Sequence, residues 1–374
     1  MLRIPTGIVW VGHVSDLGGY GNVSRNYLRV LKKCNLPISI MDIGETHQEI
    51  GKEELALLQE VNRPHTELGI NPILIINSIP EQFDLFRNLP FRKRIGVTLF
   101  ETDRLPPQWV PQCNQMDEIW VPSHFNYHTF TASGVNPQKI KVIPYPIEIE
   151  AYNKGFAPFP FPKDTKSFIF LYTLGFDYRK GLDLLIKSYC EEFTDKDDVS
   201  LMLKIYQWNR FYDVKKEIES YIPNKPNNPH IHIYLEAFSR EQLLSLYANS
   251  TCYVSTDRAC GWGLPQMEMM SMGKPVISID WGGGTEFMNA NNAFLIKAET
   301  ELEPVHPILQ QTRRDLYLGH KWPKVKEENV KTILREVYTN KLQRNAIANQ
   351  GKLDIKNNFS IDKVLEKVRA RLLF

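Results

Sequence analysis

Four short segments carry the residue types most able to do chemistry. Gly175-Phe176-Asp177-Tyr178-Arg179-Lys180-Gly181 sets two adjacent cations in a turn between glycines. Arginine offers a fork of donors and lysine a compact charge, so the pair can neutralise a diphosphate; taken alone, this segment is better explained as a solvated basic turn. The run from Cys260-Gly261-Trp262-Gly263-Leu264-Pro265 to Val276 opens a short helix with two glycines and a proline. There the N–H groups of Gly263 and Leu264 can face a phosphate or sugar oxygen. Glu268, expected in that helix's first turn, either complements the helix dipole or accepts from a ribose diol. Trp281-Gly282-Gly283-Gly284-Thr285-Glu286 repeats the glycine turn, with Thr285 or Glu286 expected to cap a following helix. The last, Asp16 to Gly21, offers Gly19 and Gly21 for close backbone approach to a ligand, but without the G-x-G-x-x-G spacing of dinucleotide folds, and a tight turn serves as well. Two glycine loops and a basic pair in one half of the chain describe a pocket for an anionic, hydroxyl-rich ligand.

Further candidates stand in the other half. Glu101, Thr102 and Asp103 follow a strand-like run and can line an acceptor side, although Asp103 and Arg104 can simply pair with each other. His13, His124 and His128 qualify by residue type alone; surface or capping roles are the default, and His13 is singled out by its place after the first strand. No D-x-D pair ends a strand to hold magnesium, so the reading is metal-free and without a cofactor. The five cysteines are scattered without a C-x-x-C pair and suggest neither a disulfide framework nor a zinc site.

Elements able to position these residues recur along the chain. Apolar runs at 8–11, 38–41, 73–76, 95–100, 118–121 and 141–143, then at 168–172, 200–206, 231–235, 252–255 and 276–279, alternate with helical periods. That is the pattern of parallel sheets covered by helices. Val23, Tyr27, Val30, Leu31 and Cys34 give the first helix one buried stripe. Arg25, Arg29, Lys32 and Lys33 are expected on its exposed face, solvated or resting on anionic lipid. The reading is therefore α/β: a first domain at 1–150, a Pro-rich linker at 151–166 around Pro158-Phe159-Pro160-Phe161-Pro162, a second domain at 167–355, and a last helix at 356–374. A length of 374 residues suits two domains. A balance of 45 basic to 43 acidic residues argues against nucleic acid as a partner. Neither a run of about 18 apolar residues nor an export signal at Met1 to Pro5 is visible, so a cytoplasmic protein is expected, with peripheral membrane contact and self-association left open.

The Gly261-Trp262-Gly263-Leu264-Pro265 segment, with Glu268 and the Gly273-Lys274-Pro275-Val276 after it, strongly resembles the donor-site signature of GT-B glycosyltransferases of family 4. Arg179-Lys180-Gly181 resembles that family's phosphate strip. Phe100 to Pro106, Ile119-Trp120-Val121-Pro122-Ser123 and Val142-Ile143-Pro144 are similar to its N-terminal half. The resemblance implies two Rossmann-like, doubly wound domains facing a cleft, the second holding a UDP- or GDP-sugar and the first a glycan, lipid-linked or protein acceptor. It further implies diphosphate contacts from Arg179 and Lys180, a ribose contact from Glu268, phosphate or sugar contacts from the Gly263-Leu264 backbone, and transfer with retention by front-face attack. The last helix is implied to cross back to the first domain. Two positions depart from the pattern. Cys260 replaces the glutamate that orients the donor sugar, with Asp257 or Arg258 as candidate substitutes, and Phe176 stands where many relatives have an arginine. A sugar-nucleotide epimerase and a non-catalytic sugar-nucleotide-binding subunit are the alternatives. A nicotinamide dehydrogenase is disfavoured, since the first glycine loop lacks the dinucleotide spacing, no acidic residue is expected at the end of the second strand, Asp42 being the nearest, and no hydride-transfer constellation follows.

Overall fold

The computed structural model describes residues 7–44, 50–207 and 213–372, so Met1 to Pro5 lie outside the described residues. The chain divides into two compact units, Met1–Ile149 with Lys356–Phe374, and Glu150–Ile355.

The first unit is built on β1 (Ile8–Gly12), β2 (Ile38–Asp42), β3 (Ile73–Asn77), β4 (Lys93–Val97), β5 (Glu118–Val121) and β6 (Ile140–Val142). Their order is β2-β1-β3-β4-β5-β6, all pairings parallel. Strands covered on both faces must be apolar throughout, and every residue of β1 and β3 is buried. The helix Gly19–Lys32 buries Val23, Tyr27, Val30 and Leu31 on this sheet, and the Tyr27 hydroxyl donates to the Ile143 carbonyl at 3.0 Å. Its basic face is open, as expected, at Lys32 and Lys33, but not at Arg25 and Arg29. Arg25 is buried and donates to the Val14 and Asp16 carbonyls at 2.8 and 2.7 Å. Arg29 lies between Glu54 and Glu148, while Lys32 and Lys33 pair with Glu60 and Asp362. The neighbouring helices Lys52–Val61 and Ile361–Leu372 supply three of those four carboxylates, which leaves little unpaired charge for a lipid surface. Within this unit Arg371 and Lys93 converge on Glu118, whose Oε2 also accepts from the Trp120 indole at 3.0 Å.

The second unit carries β7 (Phe168–Gly175), β8 (Val199–Tyr206), β9 (His230–Tyr234), β10 (Cys252–Val254), β11 (Val276–Ile279) and β12 (Phe294–Ile296). Again the sheet is parallel, ordered β12-β11-β10-β7-β8-β9. A separate antiparallel ribbon, β13 (Ala298–Pro304) with β14 (Lys321–Val325), has no counterpart in the sequence reading. The Pro-rich segment runs extended along this unit: Phe159 packs on Phe161, Tyr234 and Phe238, and the Ala157 carbonyl accepts from Ser245 and Asn249. Each unit is thus a Rossmann-like parallel sheet of six strands flanked by helices. Among the described residues no helix is long and apolar enough to cross a membrane.

Candidate active site

In the second sheet β7, β10 and β11 are neighbours, so the loops leaving their carboxyl ends lie side by side. Chain order reverses between β7 and β10, the point where open parallel sheets leave a ligand crevice. The three loops are those singled out by their glycines and cations.

They are locked together through the main chain. Gly181 ends the first loop with φ 60°, and a Cβ there would overlap the Thr256 carbonyl of the second. Gly283 donates its N–H to the Cys260 carbonyl at 2.8 Å, and a Cβ on it would overlap the Gly261 carbonyl. No side chain fits at either contact. Asp177 caps the turn Tyr178–Lys180 by accepting from the Arg179 N–H at 2.9 Å. Arg179 is partly exposed and donates through Nη1 to the Ala259 carbonyl at 3.2 Å. Lys180 meets Asp257 at 3.0 Å. The Tyr172 hydroxyl contacts both that carboxylate and the Lys180 carbonyl, and burial, with Asp257 beside it, keeps the phenol protonated.

Around the second loop, Gly263 begins the helix Leu264–Ser271 with Pro265 in its first turn. Glu268 lies one turn further in than expected, so the dipole reading does not apply. Instead it is buried, accepting from the Tyr152 hydroxyl at 2.8 Å and from Arg240 at 2.7 Å. Burial works against the Arg240 charge, but Glu268 and Tyr152 hold its pKa well above the usual arginine value. Trp262 is buried with its ring on Phe287, which leaves its backbone to meet a ligand. Burial and then Asp257 push the Cys260 thiol up to about 12, so it is a neutral, weak donor at physiological pH. Of the two candidate substitutes, Arg258 is committed to Asp183 through bonds of 2.7 and 2.8 Å, and Asp257 to Lys180. The third loop opens only a short 3-10 turn, Gly283–Glu286, with Gly282 at its cap position. Neither Thr285 nor Glu286 caps it; the Thr285 hydroxyl donates back to the Gly282 carbonyl at 2.8 Å.

The remaining candidates belong to the first unit. Gly19 and Gly21 begin the helix after β1, Gly19 exposed and Gly21 buried against the Asp16 carbonyl, as a tight turn requires. Glu101 and Asp103 follow β4, and Arg104 grips Asp103 through Nε and Nη2 at 3.0 and 2.7 Å, the structural pairing foreseen as the alternative. His13 stands after β1 with its ring 5.6 Å from that of Tyr20. Asp42 is the last residue of β2, so the second strand does end on an acidic residue, contrary to expectation; its carboxylate accepts from the Val14 and Gly44 N–H groups rather than standing free.

Sequence reasoning missed Arg240, Tyr152 and Lys204. Nothing local to Glu268 announces partners 28 and 116 residues away. A lysine inside the apolar run Val199–Tyr206 was the available signal for Lys204, which is fully buried with Nζ 4.0 Å from the centre of the Tyr206 ring.

These loops set two cations and a row of main-chain groups at the carboxyl ends of β7, β10 and β11. Residues 153–304 match the family model described as glycosyl transferases group 1. That segment, well under half of the chain, contains all three loops. Among solved structures, Alr3699/HepE of Anabaena, crystallised with UDP-glucose, is 14% identical, with 98% of this chain and 99% of that one covered at a TM-score of 0.68. The α,α-trehalose 6-phosphate synthase of Burkholderia multivorans is 11% identical, with 99% and 98% covered at 0.68. A point mutant of S. aureus TarM, in complex with fondaparinux, α-GlcNAc-glycerol and UDP, is 16% identical, with 87% and 60% covered at 0.59. At such identities the likeness is one of fold. No curated protein matches the chain in sequence.

Proposed function

We propose that this chain is a retaining glycosyltransferase of family 4 type that moves a hexose from a UDP-sugar to a hydroxyl of a glycan or glycoconjugate. The observation that carries the reading is the trio of interlocked loops, with Arg179 and Lys180, at the switch point of the sheet inside the segment matching the group 1 model. Glycosyl transfer breaks the bond to the diphosphate through an oxocarbenium-like state, so neutralising the departing phosphates is the main electrostatic task. Arg179, Lys180 and the amides of the glycine loops perform it, Glu268 receives the ribose, and Asp257 holds the Lys180 ammonium in place until the diphosphate competes for it. UDP is preferred over GDP because the three similar structures named above include two crystallised with UDP or a UDP-sugar. The acceptor binds on the first unit, near Glu101 and Asp103, and the enzyme works in the cytoplasm.

Cys260 favours a second reading. A neutral thiol where a carboxylate orients the sugar fits a subunit that binds sugar nucleotide without turning it over. UDP release from UDP-glucose and UDP-N-acetylglucosamine, with and without an acceptor panel, separates the two. Turnover that falls about tenfold or more in Lys180→Ala, with an unchanged melting curve, supports transfer. Binding without turnover supports the subunit, acceptor-independent epimerisation supports an epimerase, and wild-type turnover in Lys180→Ala removes the donor-site assignment.

A further inference from the structure

His230 and His232 begin β9, the last strand of the second sheet, which among the described residues pairs only with β8. Residues two apart on a strand share a face, so both imidazoles stand on the same side. Asp164, from the turn near the end of the Pro-rich segment, reaches that face: its two oxygens lie 3.3 Å from His230 Nδ1 and 4.0 Å from His232 Nε2. One donor atom from each of the three residues lies within 4.8 Å of the others. His232 Nε2 is shielded from water and makes no hydrogen bond, an uncommon state for a ring nitrogen beside a carboxylate.

We propose that Asp164, His230 and His232 bind a borderline d-block cation such as Zn2+, with water completing the coordination. Two imidazole nitrogens and one carboxylate oxygen are a donor set suited to zinc. Such a cation gives His232 Nε2 the partner it lacks and draws the three donors to bonding distance. Asp164 is largely exposed, so the site opens to solvent on one side for entry and for the water ligand. Its place in the sheet gives the role. His230 pairs with Ser200 near the start of β8, at the amino ends of the strands, whereas the donor loops leave the carboxyl ends of β7, β10 and β11. The ion is structural: it clips the Pro-rich segment to a sheet edge whose outer side has no strand partner among the described residues.

The test uses the full chain, with any affinity tag removed, stripped by a chelator and titrated with Zn2+ by calorimetry and with Co2+ by visible absorption. Expected are one Zn2+ per chain, a cobalt spectrum of low coordination number, and a rise in melting temperature on adding zinc. Asp164→Asn, His230→Gln and His232→Gln each weaken binding by about a hundredfold, while His65→Gln, an exposed histidine of the first unit, changes nothing. Metal-free melting curves of the three variants match that of the metal-free parent, and turnover of a UDP-sugar is unaffected by loading. No binding, or binding equally tight in all three variants, overturns the proposal.

Discussion

Replacing Lys204 with methionine should make the second unit more stable, an unusual outcome for a substitution in the middle of a buried strand. The lysine is fully buried, and among the described residues its ammonium donates only to the Ile205 carbonyl at 3.3 Å. Burial, weakly opposed by Glu236, lowers its pKa from 10.5 to about 8. At about 1.36 kcal/mol per pH unit, keeping that charge inside costs about 3 kcal/mol at neutral pH. The rings of Tyr206 and Phe238, 4.0 and 5.0 Å from Nζ, return about 1 kcal/mol each. Methionine keeps the length, carries no charge and packs well against aromatic rings, so the variant should gain about 1–2 kcal/mol. The sign with pH follows from the depressed folded value. Between about 8 and 10.5 the unfolded chain binds more protons, so the parent gains stability as pH rises through this window, and the penalty is complete below it. Urea melts at about pH 7 and about pH 10 read this directly: the advantage of Lys204→Met should be present at the lower pH and shrink at the higher. A variant less stable at pH 7, or an advantage independent of pH, would refute the electrostatic account.

Gly283→Ala forces a Cβ into the Gly261 carbonyl, so the second and third loops must part; UDP affinity measured by calorimetry should fall about tenfold or more, with a smaller loss of melting temperature. Glu268→Ala leaves Arg240 and Tyr152 without their carboxylate. Because the Arg240 side chain is about one third exposed and can turn to water, the loss should be about 2 kcal/mol by denaturant melts rather than that of a fully buried pair. Glu268→Gln should recover most of that stability but not the affinity for the ribose.

Much of the fold is legible in the chain because strands covered on both faces must be apolar from end to end. Ile73–Asn77 and Phe168–Gly175 announce themselves in this way. The ribbon of β13 and β14 does not. Its Glu299, Glu301 and Glu303 give no apolar stripe, and its partner strand arrives only after two short helices. In the site, the glycine loops and the Arg179-Lys180 pair are local in sequence and could be read. What holds them is not: Arg240 on Glu268 and Asp257 on Lys180 join residues 28 and 77 positions apart. Arg25 shows a further limit. An amphipathic pattern assigns every charge on a helix to the outside, yet this guanidinium turns inward to two carbonyls that no periodicity displays.

Because the three donor loops are fastened to one another by carbonyls meeting glycines, the mould of the crevice is independent of most side chains that line it. A library that randomises Phe176 and Cys260 while leaving Gly181 and Gly283 untouched should yield mostly folded proteins with altered choice of sugar. The same scaffold can thus be re-tooled by exchanging its fittings, with the frame left standing.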